Sequence, residues 1–128
     1  MFVMNEKIEL TGVPETMLQT LYARAKESRT RGAVTDKKAE EIIEKLDYDF
    51  SLADSDIAMS SGVIARTIVL DKMVSDWLTE HPDAVVVNIA CGLDTRCYRM
   101  EGYAHWYNLD LPETIAVRVK LLPEDGAI

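Results

Sequence analysis

The chain has 128 residues, of which 48% are hydrophobic and 28% are charged, and its formal net charge is −8. This length and composition are typical of one water-soluble globular domain. Acidic residues outnumber basic ones by 22 to 14, which argues against nonspecific binding to nucleic acid or anionic lipid. No apolar run approaches the roughly 20 residues that span a bilayer, and the N-terminus lacks the pattern of a signal peptide. We therefore expect neither a nucleic-acid partner nor a membrane anchor.

The cysteine content indicates the redox setting. Cys91 and Cys97 are too few for a disulfide framework or for a four-ligand zinc site. We therefore expect a reducing, cytoplasmic environment and no metal ion.

Three helices are predicted before Pro82. Apolar residues recur at helical spacing from Pro14 to about Ser28, between Asp36 and Asp47, and from near Ser61 to Thr79. The third helix should stop at residues 81–83, because proline disfavours the helical conformation of the residue before it. The first 83 residues are thus predicted to be helix and loop.

The pattern changes after Pro82. Residues 84–90 form a β-branched run without alternation, which predicts a strand covered on both faces. A turn at residues 91–94, a short helix at 95–100 and a strand at 105–109 follow, and Pro112 opens a helix that Pro123 ends. This order predicts parallel strands joined by right-handed crossovers. The fold class is therefore α/β, the beginning of a doubly wound parallel sheet.

Two strands are too few for such a sheet. Doubly wound sheets usually carry about five or six strands with helices on both faces. We therefore expect this chain to be the N-terminal part of a longer protein, or to be completed by another polypeptide.

The first strand and its turn are the predicted ligand site. Gly92 lets the backbone pass close to a ligand, and the following helix N-terminus offers N–H groups to it. Asp110 ends the second strand 18 positions after Gly92. Nucleotide-binding folds place an acid about 20 residues beyond the glycine loop, where it accepts hydrogen bonds from ribose hydroxyls. The alternative is that Asp110 caps the helix that Pro112 starts.

Dinucleotide binding is disfavoured at this turn. The usual fingerprint needs three glycines, whereas this turn has only Gly92, with Ala90 and Asp94 near the other positions. The carboxylate of Asp94 is also unfavourable beside a pyrophosphate, and the chain has no phosphate-binding P-loop motif. A nucleoside without phosphate is the predicted ligand, and a nicotinamide-dependent enzyme is the disfavoured alternative.

Four segments resemble one known family. Residues 88–96 and 108–112, with residues 22–28 and 64–71 upstream, are similar in order and spacing to the leucine carboxyl methyltransferase family. The similarity is greatest to the bacterial branch that includes polyketide carboxyl O-methyltransferases of the tetracenomycin type. The resemblance implies a class I S-adenosylmethionine-dependent methyltransferase. Residues 1–83 would form its N-terminal helical cap, and residues 84–128 the first two β-α units of its Rossmann-like domain.

The resemblance also implies site residues. Arg66 would hold the methionine carboxylate of S-adenosylmethionine, with Arg24 nearby, and Asp110 would bind the ribose. The remaining cofactor positions are Ala90, Cys91, Gly92 and Leu111, where Ala90 replaces a frequent family glycine. No catalytic residue is identified. Without the resemblance, Arg66 is more often a surface partner of Asp71, and we expect Arg96 and Arg99 to make structural ion pairs.

The implied reaction is O-methylation of a carboxyl group on a small, polyketide-like acid. Two alternatives stay open for the function. One is carboxyl methylation at a protein C-terminus, and the other is a truncated, non-catalytic module that needs a partner chain. A second chain that completes the sheet, or a homo-oligomer, is the expected protein partner.

Overall fold

A computed structural model describes residues 15–46, 50, 54–124 and 126–128. The elements follow the predicted order, and the α/β fold class is confirmed as a partial, Rossmann-like fragment. The predicted first residue of the first helix, Pro14, and the predicted end of the second, Asp47, lie outside the described residues. The helices are α1 (Glu15–Arg29), α2 (Lys37–Lys45), α3 (Ile57–Glu80) and α4 (Pro112–Leu121); the strands are β1 (Ala84–Ile89) and β2 (Tyr103–Leu109); a 3-10 turn spans Arg96–Tyr98.

Side-chain caps set the starts of two helices. Asp36 precedes α2 and accepts a hydrogen bond from the backbone N–H of Ala39. Asp56 precedes α3 in the same way and accepts from the N–H of Met59. Helix α3 therefore begins before the predicted Ser61, because the cap at Asp56 precedes the apolar periodicity on which the prediction rested. Its end before Pro82 is as predicted.

The two strands pair in parallel, as the element order predicts. Asn88 lies opposite Asn108, and Ile89 lies opposite Leu109. The connection through residues 90–102 contains one 3-10 turn in place of a regular helix. Both strands therefore end at the same edge of the sheet, where the segment after β1 meets residue 110.

The prediction that β1 is covered on both faces is wrong for the described chain. Its exposure alternates, with Val85, Val87 and Ile89 exposed and Val86 partly buried. The exposure of β2 alternates too, since Trp106 is buried and Tyr107, on the opposite face, is exposed. The second face stays open because nothing among the described residues covers it, although its residues are apolar.

The main hydrophobic core is shared between the helices and the α/β units. It joins side chains of α1 and α2 to Leu93 after β1 and to the end of α4. Burying each such leucine contributes roughly 1.5–3 kcal/mol. Helices α1 and α2 are thus held directly on the segment that follows β1. The buried members are Leu18, Leu21, Ala25, Ala39, Ile42, Leu46, Leu93, Leu121 and Leu122.

A buried ion network connects the same elements. The Asp36 side chain is only 1% exposed, and its Oδ2 accepts hydrogen bonds from Arg24 Nε at 3.1 Å and Arg99 Nη1 at 3.0 Å. The hydroxyl of Thr95 donates to the same oxygen. Arg99 also donates two hydrogen bonds of 2.9 Å to Asp71 on α3. The predicted structural role of Arg99 in ion pairing is therefore confirmed.

Replacing Asp36 by asparagine should destabilise the protein strongly. Asparagine keeps an oxygen for the cap of α2, but it leaves the buried guanidinium of Arg24 without its counter-charge and removes one of the two carboxylates that bind Arg99. We expect Asp36→Asn to lower the free energy of unfolding by about 3 kcal/mol, measured by urea titration. Asp76→Asn removes an exposed partner of Lys72 and should cost less than about 1 kcal/mol. Equal losses in the two variants would contradict the role of Asp36.

Candidate functional site

The segment after β1, residues 90–95, has an unusual backbone. Ala90 has a φ of 57° and Gly92 a φ of 49°, both in the left-handed region. A Cβ atom on Gly92 would lie 2.8 Å from Sδ of Met17 on α1. The sequence analysis explained this glycine by the close approach of a ligand. In the structure, the close neighbour of Gly92 is instead Met17 on helix α1. We call residues 90–95 the glycine loop.

The structure brings Asp110 and Gly92 together, as their spacing predicts. The N–H of Gly92 donates to Asp110 Oδ2 at 2.8 Å, and the N–H of Leu111 donates to Oδ1 at 2.7 Å. The alternative role of Asp110 as the cap of α4 is not observed, because Leu111 occupies the cap position without a side-chain bond. Each carboxylate oxygen can accept a further hydrogen bond. Asp110 is therefore oriented by the backbone and still able to bind a hydroxyl.

Arg24 is buried against the glycine loop. Its Nε donates to Asp36, and its Nη2 donates to the carbonyl oxygen of Leu93 at 3.2 Å. Burial lowers the pKa of the Arg24 guanidinium, and the charge of Asp36 acts in the opposite direction. The structure thus places Arg24 beside the predicted site, with two of its nitrogens engaged by the protein.

Arg66 is exposed on α3, and its alternative interpretation as the partner of Asp71 is wrong. Asp71 instead accepts hydrogen bonds from Arg96 and Arg99. Burial raises the pKa of Asp71, but the bonds and charges of these two arginines outweigh burial and hold it below its usual value. Arg66 makes no ion pair or hydrogen bond within the part of the chain that the structure describes. Its guanidinium is therefore open to a ligand.

Helix α3 and strand β1 meet near their connection at residues 81–83, where Leu78 of the helix shares a small core with Ala84 and Val86 of the strand. Arg66 lies on the same helix, about three turns from Trp77 towards the N-terminus. The groove between the two elements, about 410 Å³, is lined by Leu70, Met73, Val74, Trp77, Leu78, Val85, Val86 and Val87.

Arg118 on α4 is a site residue that the sequence interpretation missed. Its side chain is buried, and its Nη1 donates to the carbonyl oxygens of Gly92 at 3.0 Å and Asp94 at 2.7 Å. The available signal was its helical spacing from Thr114 and Leu121, which places it on the buried face of α4. A lone arginine on such a face needs a specific partner.

The two remaining predicted positions are Cys91, inside the glycine loop, and Leu111, after Asp110. Cys91 is buried, its N–H donates to the Leu109 carbonyl, and burial raises the pKa of its thiol. Leu111 is exposed directly after Asp110.

Across the described ranges, no group of His, Cys, Asp and Glu side chains is arranged to hold a metal ion. Likewise, none of the helices described is both long and apolar enough to cross a bilayer.

Replacing Ala90 by glycine should stabilise the protein. Left-handed backbone costs an L-residue roughly 1–2 kcal/mol, and glycine avoids most of this cost. We expect Ala90→Gly to raise the free energy of unfolding by about 0.5–1 kcal/mol in urea titration. Ala116→Gly, at an exposed position in the middle of α4, is the control and should lower it by about the same amount. A loss of stability in both variants would show that Ala90 is not strained.

Comparison with known proteins identifies the family of the chain. The model of the family "Leucine carboxyl methyltransferase" matches residues 17–128. Tetracenomycin polyketide synthesis O-methyltransferase TcmP of Streptomyces glaucescens is 43% identical over 127 residues, covering 96% of this chain and 47% of that protein. S-adenosyl-L-methionine-dependent methyltransferase dpfgK of Gibberella zeae is 31% identical over 130 residues, covering 92% and 44%.

The chain therefore spans about half the length of the curated relatives that it matches. The family match extends over the cap helices, the glycine loop and α4, which includes every candidate site residue. This chain belongs to the leucine carboxyl methyltransferase family.

Proposed function

We propose that the protein is an S-adenosylmethionine-dependent O-methyltransferase that methylates a carboxyl group of a small, polyketide-like acid. One relative is named as an O-methyltransferase of polyketide synthesis and another as S-adenosylmethionine-dependent, which supports this assignment. The structural observation that carries it is the bond between Asp110 and the N–H of Gly92 at the carboxyl ends of two parallel strands. Doubly wound folds bind nucleosides at this edge.

The residues at this edge fit the nucleoside of the cofactor. The Asp110 carboxylate is fixed by two backbone N–H groups and retains a lone pair on each oxygen for the ribose hydroxyls. Ala90 is small and exposed, so a ligand can approach the backbone of the loop there, whereas Cys91 and Gly92 are buried and Gly92 lies against Met17. Leu111 offers an exposed apolar surface next to the carboxylate.

Arg66 fits the other end of the cofactor. A guanidinium can hold a carboxylate through two parallel hydrogen bonds, and the methionine part of the cofactor carries such a group. Arg66 is exposed, and its side chain makes no ion pair or hydrogen bond with the described residues, so it is available to a ligand. Arg24 has a more limited role in this proposal, since only its Nη1 is not engaged by Asp36 or Leu93.

Methyl transfer to a carboxylate requires the protein mainly to bind and orient the two reactants. S-adenosylmethionine would supply a methyl group on a positively charged sulfur, which is an activated leaving group. A carboxylic acid acceptor, with a pKa near 4, is already ionised at pH 7 and needs no general base. The protein must hold both partners in line and exclude water. Both cysteines are free and buried, in keeping with the cytoplasmic location that we propose.

Binding of S-adenosylmethionine to the whole natural protein tests this proposal. Arg66→Ala removes the group that holds the methionine carboxylate, and Asp110→Asn removes the charged acceptor of the ribose hydroxyls. Each variant should weaken binding by about 1.5–3 kcal/mol in isothermal titration calorimetry, the range for a hydrogen bond to a charged group.

Matched controls come from the same regions of the chain. Lys72→Ala on α3 and Glu124→Gln, beyond the C-terminal end of α4, each change an exposed charge that is not assigned to the proposed site, and both should leave the affinity unchanged. Unaltered affinity in the Arg66 and Asp110 variants would refute these two assignments. No binding by the unmodified protein would refute the proposed function itself.

A second candidate is a truncated, non-catalytic methyltransferase-like module that needs a partner chain. The open apolar face of the sheet, with Val85, Val87, Ile89, Tyr107 and Leu109 exposed, favours it. Such a face is typical of a sheet that further polypeptide covers. Native mass spectrometry of the natural gene product distinguishes the two. We expect one chain or a homo-oligomer for the leading proposal, whereas a stoichiometric second polypeptide would favour the module.

A further inference from the structure

Arg118 is a buried cation without a carboxylate partner in the described structure. Its side chain is 3% exposed, and no ion pair involves it in the ranges described. Its partners are the carbonyl oxygens of Gly92 and Asp94 and, at 3.8 Å, the sulfur of Cys97. Burying a charge is expensive unless it is compensated, and here backbone dipoles supply the compensation. Arg118 therefore binds the backbone of the glycine loop.

Two guanidinium groups together hold three consecutive carbonyl groups of that loop. Arg118 on α4 binds those of Gly92 and Asp94, and Arg24 on α1 binds that of Leu93 between them. We propose that Arg118 is a positioning residue, which holds the glycine loop in its cofactor-binding shape before the cofactor arrives. This proposal rests on the proposed function, because the loop is assigned there to S-adenosylmethionine.

Three N–H groups of the loop are engaged as well. Cys91 donates to the carbonyl of Leu109, Gly92 donates to the carboxylate of Asp110, and Asp94 donates to the carbonyl of Cys91. With both sides of the backbone bonded, the loop has few alternative conformations. A preorganised loop spares the cofactor the free energy of ordering it. Arginine suits this task because its planar group carries several donors in fixed directions, whereas a lysine ammonium is a compact point charge.

Arg118→Lys tests the proposal in the whole natural protein. The charge is retained, but one ammonium group cannot reproduce the bonds to both carbonyls at the same positions. We expect the dissociation constant for S-adenosylmethionine to rise about tenfold or more, the effect of one lost hydrogen bond. Amide hydrogen exchange should become faster in residues 91–96 and stay unchanged in α1 and α2. A merely structural role would instead accelerate exchange throughout the protein.

Lys120→Met is the matched control on the same helix, because Lys120 is exposed. It should change neither the affinity nor the exchange of residues 91–96. If the unmodified protein binds the cofactor and Arg118→Lys binds equally well, the positioning role is overturned while the proposed function stands. If the unmodified protein does not bind, the proposed function fails and the positioning role fails with it.

A measurement on the unmodified protein covers the case in which Arg118→Lys does not fold. The amides of residues 91–96 should already be protected from exchange without cofactor, with little further protection when S-adenosylmethionine is added. Rapid exchange that slows only on binding would show that the cofactor orders the loop, and it would overturn the proposal.

Discussion

The candidate site depends on how the backbone between the two strands is held. The glycine loop is bound by Asp110 after β2, by Arg24 on α1 and by Arg118 on α4, so three separate elements determine its shape. Parallel pairing brings the first of these contacts about, because it puts the ends of β1 and β2 at one edge. A short loop with two left-handed residues would otherwise have many accessible conformations.

Helices α1 and α2 pack on the glycine loop and are not an independent unit. Leu93 of the loop lies in the same core as the apolar faces of α1 and α2, and Met17 packs where a side chain on Gly92 would lie. Asp36 adds an electrostatic connection, since it pairs with Arg24 on α1 and with Arg99 after the loop. Helices α1 and α2 therefore stabilise the loop through both apolar contact and buried charge.

Much of the fold follows from periodicity along the chain. The helical stripes, the β-branched run before the glycine and the prolines at helix boundaries suffice for the element order and the parallel pair. The meeting of Gly92 with Asp110 also follows, because register places both at the strand ends. The predicted burial of both faces of β1 was wrong. A run of valines indicates a preference for apolar surroundings, but it does not show which segment, if any, of the described chain covers each face. The end of α3 was predictable from Pro82, whereas its start at Asp56 depended on a cap.

The side-chain partners were less predictable than the fold. Five residues separate Arg66 from Asp71, yet Asp71 pairs with Arg96 and Arg99, which are close only after the chain has folded. Arg118 was overlooked for the same reason, since its partners are carbonyl groups that no sequence pattern records. Only the tertiary structure shows which charged side chains contact the loop, and that the Arg66 side chain has no ion-pair partner among the described residues.

A crystal structure of the whole natural protein with S-adenosylhomocysteine is the most direct measurement of whether this edge of the sheet holds the cofactor. The account predicts ribose hydroxyls within hydrogen-bonding distance of Asp110, the amino-acid carboxylate on Arg66, and an unchanged backbone through residues 90–95. A nucleoside bound elsewhere, or a ribose that does not touch Asp110, would contradict it.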